Sequence, residues 1–196
     1  MFGLRRTPDA ALRSILAREA ERPWPYDEVG ASDPKRAPFD AALSPRYRID
    51  RNRFELEVPA SAFARAREAL FAWRHFEIPW LELRGAEGPV HPGQCVATEV
   101  QRFGVWSLNP CRVVYTIDEP DFAAYAYGTT PGHPARGEEH FVLRTDTQRS
   151  HLVLEIAAFS RPEHWLVRIG QPVLRSFQRR FAPACAEALT RALREA

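Results

Sequence analysis

Five side chains able to move a proton or hold an ion crowd into one stretch of this chain, Tyr125 to Phe141: His133, Arg136, Glu138, Glu139 and His140. The same stretch carries Gly128, Pro131, Gly132, Pro134 and Gly137, which break regular structure and force a shaped loop. Gly132 and Pro134 restrict the backbone on both sides of His133. An imidazole fixed in that way, with an ordinary pKa near 6.5, suits proton transfer or an anion contact; its plainer use is to cap the loop by bonding to backbone. Glu138 and Glu139 are neighbours at the start of a strand-like run, so they point to opposite faces and cannot share a proton as a carboxylate dyad does. A buried one needs a partner, and Arg102, Arg112 or Arg161 could supply a bidentate pair. His133, Glu138 and Glu139 are therefore the candidate catalytic groups. His133, Glu138 and His140 are also suitable zinc ligands by type, but their spacing fits no strong motif, so neither a metal nor a cofactor is expected.

A second set of residues could line a pocket. Tyr26, Trp73, Trp106, Tyr115, Tyr125 and Tyr127 offer aromatic walls with hydroxyl or indole donors, and Arg161 offers a charge. A GxSxG elbow, a glycine-rich phosphate loop and a dinucleotide fingerprint are all missing from the sequence, which counts against the commonest hydrolase, kinase and dehydrogenase chemistries. A net charge of only +2 counts against nucleic acid as partner. No run approaches the roughly 18 apolar residues of a membrane span, and the N-terminal arginines precede no signal-type apolar core. Cys95, Cys111 and Cys185 fit neither a disulfide framework nor a paired-cysteine zinc site, so a reducing cytoplasm is the expected location.

The elements that must position these groups follow from periodicity. Thr7 before Pro8 and Asp9 reads as the N-cap of a helix to about Glu21, and a proline-rich loop from Pro23 to Pro38 then wraps the domain. Arg46 to Asp50 and the alternating Phe54, Leu56 and Val58 read as strand. A helix from Ser61 to about His75 presents Phe63, Ala66, Leu70 and Trp73 on one stripe. Six β-type runs follow between Trp80 and Ser160, with turns expected at SLNP and at the acidic segment from Asp118 to Asp121. Ser160 and Pro162 should open a long helix on which Trp165, Ile169, Val173, Phe177, Phe181, Cys185, Leu189 and Leu193 recur every four residues, kinked at Pro172 and Pro183. The plan is α+β: a curved antiparallel sheet of about six or seven strands gripping a long C-terminal helix, the helix-grip shape of START and Bet v 1 type proteins. One domain spans 1–196, with 1–45 as N-terminal helix and wrapping loop and 46–196 as the helix-grip core. A cavity is expected between the strands of 93–160 and the helix.

With these motifs in hand, the chain resembles uncharacterised protein family 0548. The likeness rests on YDEVGAS at Tyr26 to Ser32, ALFAWRHF at Ala69 to Phe76, PCRVVYTIDE at Pro110 to Glu119, YGTTPGHPARGEEHF at Tyr127 to Phe141, and EIAAFSRPEHWLVRIGQP with QRRF near the end. It departs at Thr130, where the family commonly has leucine. The resemblance implies a shared fold and site position. The first functional expectation is a binding protein for a small, mainly apolar ligand. The alternatives are an enzyme of the same fold using His133 with Glu138 or Glu139, and an interaction module whose arginine-rich helix face, Arg168, Arg175, Arg179 and Arg180, meets an acidic partner or membrane surface.

Overall fold

Residues 1–36, 40–146, 148–163 and 171–195 are described by a computed structural model. Alternating side chains and tight turns build an antiparallel sheet: β1 (Phe2–Gly3), β2 (Arg48–Pro59), β3 (Glu82–Arg84), β4 (Cys95–Arg102), β5 (Val105–Glu119), β6 (Phe122–Thr129), β7 (Ala135–Asp146) and β8 (His151–Pro162). Seven strands run in the order β2-β8-β7-β6-β5-β4-β3, and the short β1 pairs with β5. Tyr125, Tyr127, Phe141, Leu143, Leu154 and Ile156 point to the inner face of the curled sheet. There they pack with α3 (Phe63–Phe71) and with Ala182, Cys185, Leu189 and Leu193 of the C-terminal helix α4 (Gln171–Glu195). Burying each large side chain in such a layer contributes about 1.5–3 kcal/mol.

The outer face is buried as well, because the N-terminal segment lies across it. Helix α1 (Asp9–Glu21) packs Leu12 and Leu16 on Ala97 and Leu108. The segment that follows, leading to the one-turn α2 (Asp40–Leu43), packs Tyr26, Leu43 and Tyr47 on Ala157 and Phe159. The sheet is therefore the middle of three layers.

Several local expectations change. Thr7 does not cap α1: Pro8 holds the cap position in an extended conformation with no side-chain cap bond, and the Thr7 N–H donates to Glu99 Oε1 at 2.8 Å. A 3-10 turn at Ala60–Ala62 precedes α3, which ends at Phe71, and Trp73 then adopts a left-handed conformation (φ 62°). The stripe of Phe63, Ala66, Leu70 and Trp73 is nevertheless buried. SLNP is no turn but part of β5, and the chain reverses at Phe103 and Gly104, both with positive φ. Ser160 caps no helix; with Arg161 it extends β8 against Gly137 and Arg136. Trp165, Ile169 and Arg168 lie outside the described residues, as do the side chains of Val173, Arg175 and Phe177. Phe181 is partly buried, and Pro183 sits inside α4. A register shift between Val113 and Tyr115 inserts Val114 as an extra residue, so Val113 faces the inner core while Tyr115 turns outward.

Candidate functional site

The two adjacent glutamates of β7 meet opposite surroundings. Glu138 faces outward and is 3% exposed. Its carboxylate accepts four hydrogen bonds: from Tyr26 Oη at 3.1 Å, Gly30 N at 2.6 Å, Ser32 N at 3.2 Å and Ser32 Oγ at 2.6 Å. Burial pushes its pKa up against the pull of those donors. Gly128 stands opposite Glu138, and a Cβ there would come within 1.9 Å of Tyr26 Oη; only a glycine lets the tyrosine lie on the strand. Two residues on, His140 Nδ1 donates to the Ser32 carbonyl at 2.6 Å, and Tyr115 Oη donates to the same carbonyl at 2.9 Å. The YDEVGAS segment is thus strapped to β7 through side chains that sequence alone offers as catalytic or ligand-lining.

The turn between β6 and β7 is held equally firmly. Gly132 N–H donates to Glu19 Oε2 at 2.8 Å, and Glu19, fully buried on α1, also pairs with Arg22 at 3.1 Å and Arg18 at 3.3 Å. The Met1 ammonium donates to the carbonyls of Leu108 at 2.6 Å and Gly132 at 3.4 Å. Thr130 Oγ1 donates to Pro110 O at 3.2 Å, a buried bond that leucine could not make. His133 Nδ1 lies 2.9 Å from the Ala135 nitrogen and 3.1 Å from the Ala135 carbonyl oxygen, so the ring is bonded to its own turn, and burial lowers its pKa to about 4. Gly137 takes a φ of 141° that puts a prospective Cβ 1.9 Å from the Phe159 carbonyl, so the strand there admits nothing larger.

Glu139 faces inward. Tyr127 Oη donates to its Oε2 at 2.5 Å, and burial raises the carboxyl to about 7, with the like charge of Asp50 adding to the rise. In sheet register Tyr127, Glu139, Ala158 and Asp50 form one row across four strands. Glu139, Ala158 and Asp50 all remain partly accessible, whereas the next inner row, Tyr125, Phe141 and Ile156, is closed. Among the described residues the inner face is therefore closed towards α3 and the end of α4, and the Glu139 row is its partly accessible part. Deeper in, His75 Nε2 lies 2.6 Å from Tyr125 Oη, and burial lowers its pKa to about 3. Among the described residues, His75 Nδ1 and the Trp73 indole N–H are buried without hydrogen-bond partners. Burial also keeps the Cys111 and Cys185 thiols protonated.

The predicted site residues do not share one surface. Trp73, Tyr125, Tyr127 and Glu139 belong to the inner layer, whereas Tyr26, Tyr115 and Glu138 belong to the outer one. Arg161 lies 4.8 Å over the Tyr47 ring, also outside. His133 is in the turn, and Trp106 sits between Gln101 and Gly3 where β5 meets β4 and β1. The expected glutamate–arginine clasp is replaced: hydroxyls and backbone N–H groups hold Glu138, while Arg112 reaches the Ala20 carbonyl and stacks 3.9 Å over Trp24. Ala182, Cys185, Ala186, Ala188, Leu189 and Leu193 of α4 pack against the strands in the inner core. A hollow of about 440 Å³ instead borders Trp73, Phe76, Ile78 and Leu81. Asp50 and His75 carry no signal of a site in the sequence. Asp50 sits among alternating charges that read as solvent-facing, and His75 ends a segment that reads as plain helix.

A curled antiparallel sheet closed by a long C-terminal helix defines the helix-grip class. Solved structures with this shape include the ZhuI aromatase/cyclase of a Streptomyces species, with a TM-score of 0.54 and 13% identity over 76% of this chain and 94% of that one. Another is norcoclaurine synthase of Thalictrum flavum in complex with dopamine and hydroxybenzaldehyde, with a TM-score of 0.50 and 11% identity over 76% of this chain and 87% of that one. Within that class the chain belongs to the family described as a domain of unknown function, DUF1990, whose model matches residues 25–188. It is 35% identical to the UPF0548 protein of Deinococcus radiodurans over 98% of both chains, and 26% identical to that of Dictyostelium discoideum over 92% of this chain and 90% of the other.

Proposed function

We propose that the protein binds a small, mainly apolar ligand on the inner face of its sheet, with Glu139 and Tyr127 as the polar contact. The observation that carries this reading is the row of Tyr127, Glu139, Ala158 and Asp50: a carboxyl raised to about 7, bonded to a phenol, at the edge of an otherwise apolar layer. Ala158, which stands between the two acids in register, carries only a methyl group, and the closed row of Phe141 and Ile156 borders it. A fold-level parallel supports it, since norcoclaurine synthase was solved holding two small aromatic molecules. Near pH 7 such a carboxyl can either donate or accept, so a phenol, aldehyde or amine head group satisfies it. The test is equilibrium binding of a panel of phenols and aromatic aldehydes to the parent, Glu139→Gln and Ala158→Phe. Saturable binding that weakens in the first variant and disappears in the second is expected; equal affinity in all three would remove the ligand from this face.

An enzymatic reading is favoured by one further observation, that the Glu139 pKa lies where general acid–base catalysis works best. Of the three candidate groups it alone suits the task. Glu138 has its lone pairs occupied by four donors, and His133 has Nδ1 tied to backbone. Any turnover found with a bound compound should vanish in Glu139→Gln while binding persists.

A further inference from the structure

The outer face holds a second hollow, of about 230 Å³, between the N-terminal strap and strands β2, β6, β7 and β8. Its position follows from register. His140, Val142 and Arg144 alternate outward along β7; Phe122 stands opposite Arg144, and Glu155 opposite Val142. The strap closes it with Ser32, Asp33, Pro34 and Arg36, and Arg51 reaches in from β2.

Three arginines face two carboxylates in this hollow, and their pairing is uneven. Arg36 pairs with Asp33 at 3.6 Å, and Arg51 with Glu155 at 3.1 Å and with Asp40 at 2.9 Å. His140, its Nδ1–H given to the Ser32 carbonyl, has Nε2 3.9 Å from Glu155. Arg144 makes no hydrogen bond or ion pair among the described residues and acts on Glu155 only at longer range. It is nevertheless half-buried, directly across from the Phe122 ring. A guanidinium drawn partly out of water with no directly paired carboxylate among the described residues is a planar fork of donors suited to a carboxylate or phosphate.

We propose that this hollow is a binding site for a small oxyanion ligand, its carboxylate or phosphate held by Arg144 and its body resting on Phe122, Val142 and Pro34. The site lies on the opposite side of the sheet from Glu139 and is independent of it. Because the strap supplies one wall, occupancy should tighten Ser32–Arg36 against β7 and raise thermal stability.

The test is calorimetric titration of the full chain with inorganic phosphate and, separately, with benzoate, at constant ionic strength in chloride, for the parent, Arg144→Gln, Arg144→Lys and Glu139→Gln. Saturable binding of one anion is expected, weakened about tenfold or more in Arg144→Gln, partly restored in Arg144→Lys and unchanged in Glu139→Gln. Preference for phosphate marks a phosphate-bearing ligand, and preference for benzoate an organic acid. Backbone amide shifts of the parent on titration should map to 30–36 and 140–144, which keeps the proposal testable should Arg144→Gln fold poorly. No saturable binding of either anion, parent-like affinity in Arg144→Gln, loss confined to Glu139→Gln, or shifts elsewhere would each overturn it.

Discussion

Glu139→Gln should alter how stability depends on pH, and the size of the effect can be worked out. In the fold, burial holds the Glu139 carboxyl at about 7 against an ordinary value of 4.5. Between those values the folded chain keeps a proton that the unfolded chain has released, so this group makes stability fall as pH rises through the window. Below the window both states are protonated, and above it both are ionised, so its contribution stops changing. At about 1.4 kcal/mol per pKa unit the full change is about 3 kcal/mol, trimmed towards 2 by the partial exposure of the side chain. Two histidines work in the opposite sense. Burial lowers His75 to about 3 and His133 to about 4 from 6.5, so the unfolded chain binds protons there that the folded chain refuses, and stability rises with pH up to about 6.5.

A raw stability curve therefore mixes both trends, whereas the difference between parent and Glu139→Gln isolates the glutamate. Glutamine keeps the volume and can still accept from Tyr127. Urea unfolding followed by tryptophan fluorescence between about pH 4.5 and pH 8 should show the parent-minus-variant free energy falling by about 2–3 kcal/mol. A difference that is flat, or that rises with pH, would show that the carboxyl is not desolvated on the inner face. The acid-centred reading of the site would fall with it.

Glu138→Ala should cost about 3–5 kcal/mol and lower the melting temperature by about 10 °C, because four donors, three of them in buried bonds, lose their acceptor; a calorimetric loss under about 1 kcal/mol would contradict the strap. Leu189→Ala, which empties a fully buried position of α4, should cost about 2–5 kcal/mol, and a near-neutral result would mean that the helix does not close the inner layer. Cys111 and Cys185, buried with raised thiol pKa values, should resist a thiol reagent at about pH 8, and Cys95, raised to about 11, should react slowly. All three should react in urea, and rapid labelling of more than one in the native protein would contradict their burial.

How much of this was legible in the sequence depends on the reach of each signal. Period-two alternation is local, so the strand set, the buried stripe of α3 and the opposite facing of Glu138 and Glu139 could all be read directly. An inserted residue defeats the same logic: CRVVYTI places Val113 and Tyr115 on one face until the register shift parts them. Pro110 made SLNP look like a turn, since a proline removes a ladder donor. It is tolerated because it falls between the end of β1 pairing at Ser107 and the start of β6 pairing at Cys111, where no neighbour needs its N–H. Least legible were the partners of Glu138, which lie more than 100 positions earlier, at Tyr26, Gly30 and Ser32.

That distance explains why the GHPARGEEH segment reads as catalytic from the sequence alone. A segment dense in glycine, proline and ionisable groups signals that many constraints meet there, and a layered fold can impose them as easily as a reaction can. Here α1 takes Gly132, the strap takes Glu138 and His140, the turn uses His133 on itself, and Arg136 pairs with Glu163. Among the described residues, Glu139 is left facing inward with the Tyr127 hydroxyl as its donor and with part of its surface accessible. Unusual composition located the place where three layers are fastened together. The alternation of a single strand then separates, within that place, the outward carboxylate that fastens from the inward carboxyl that stays partly accessible.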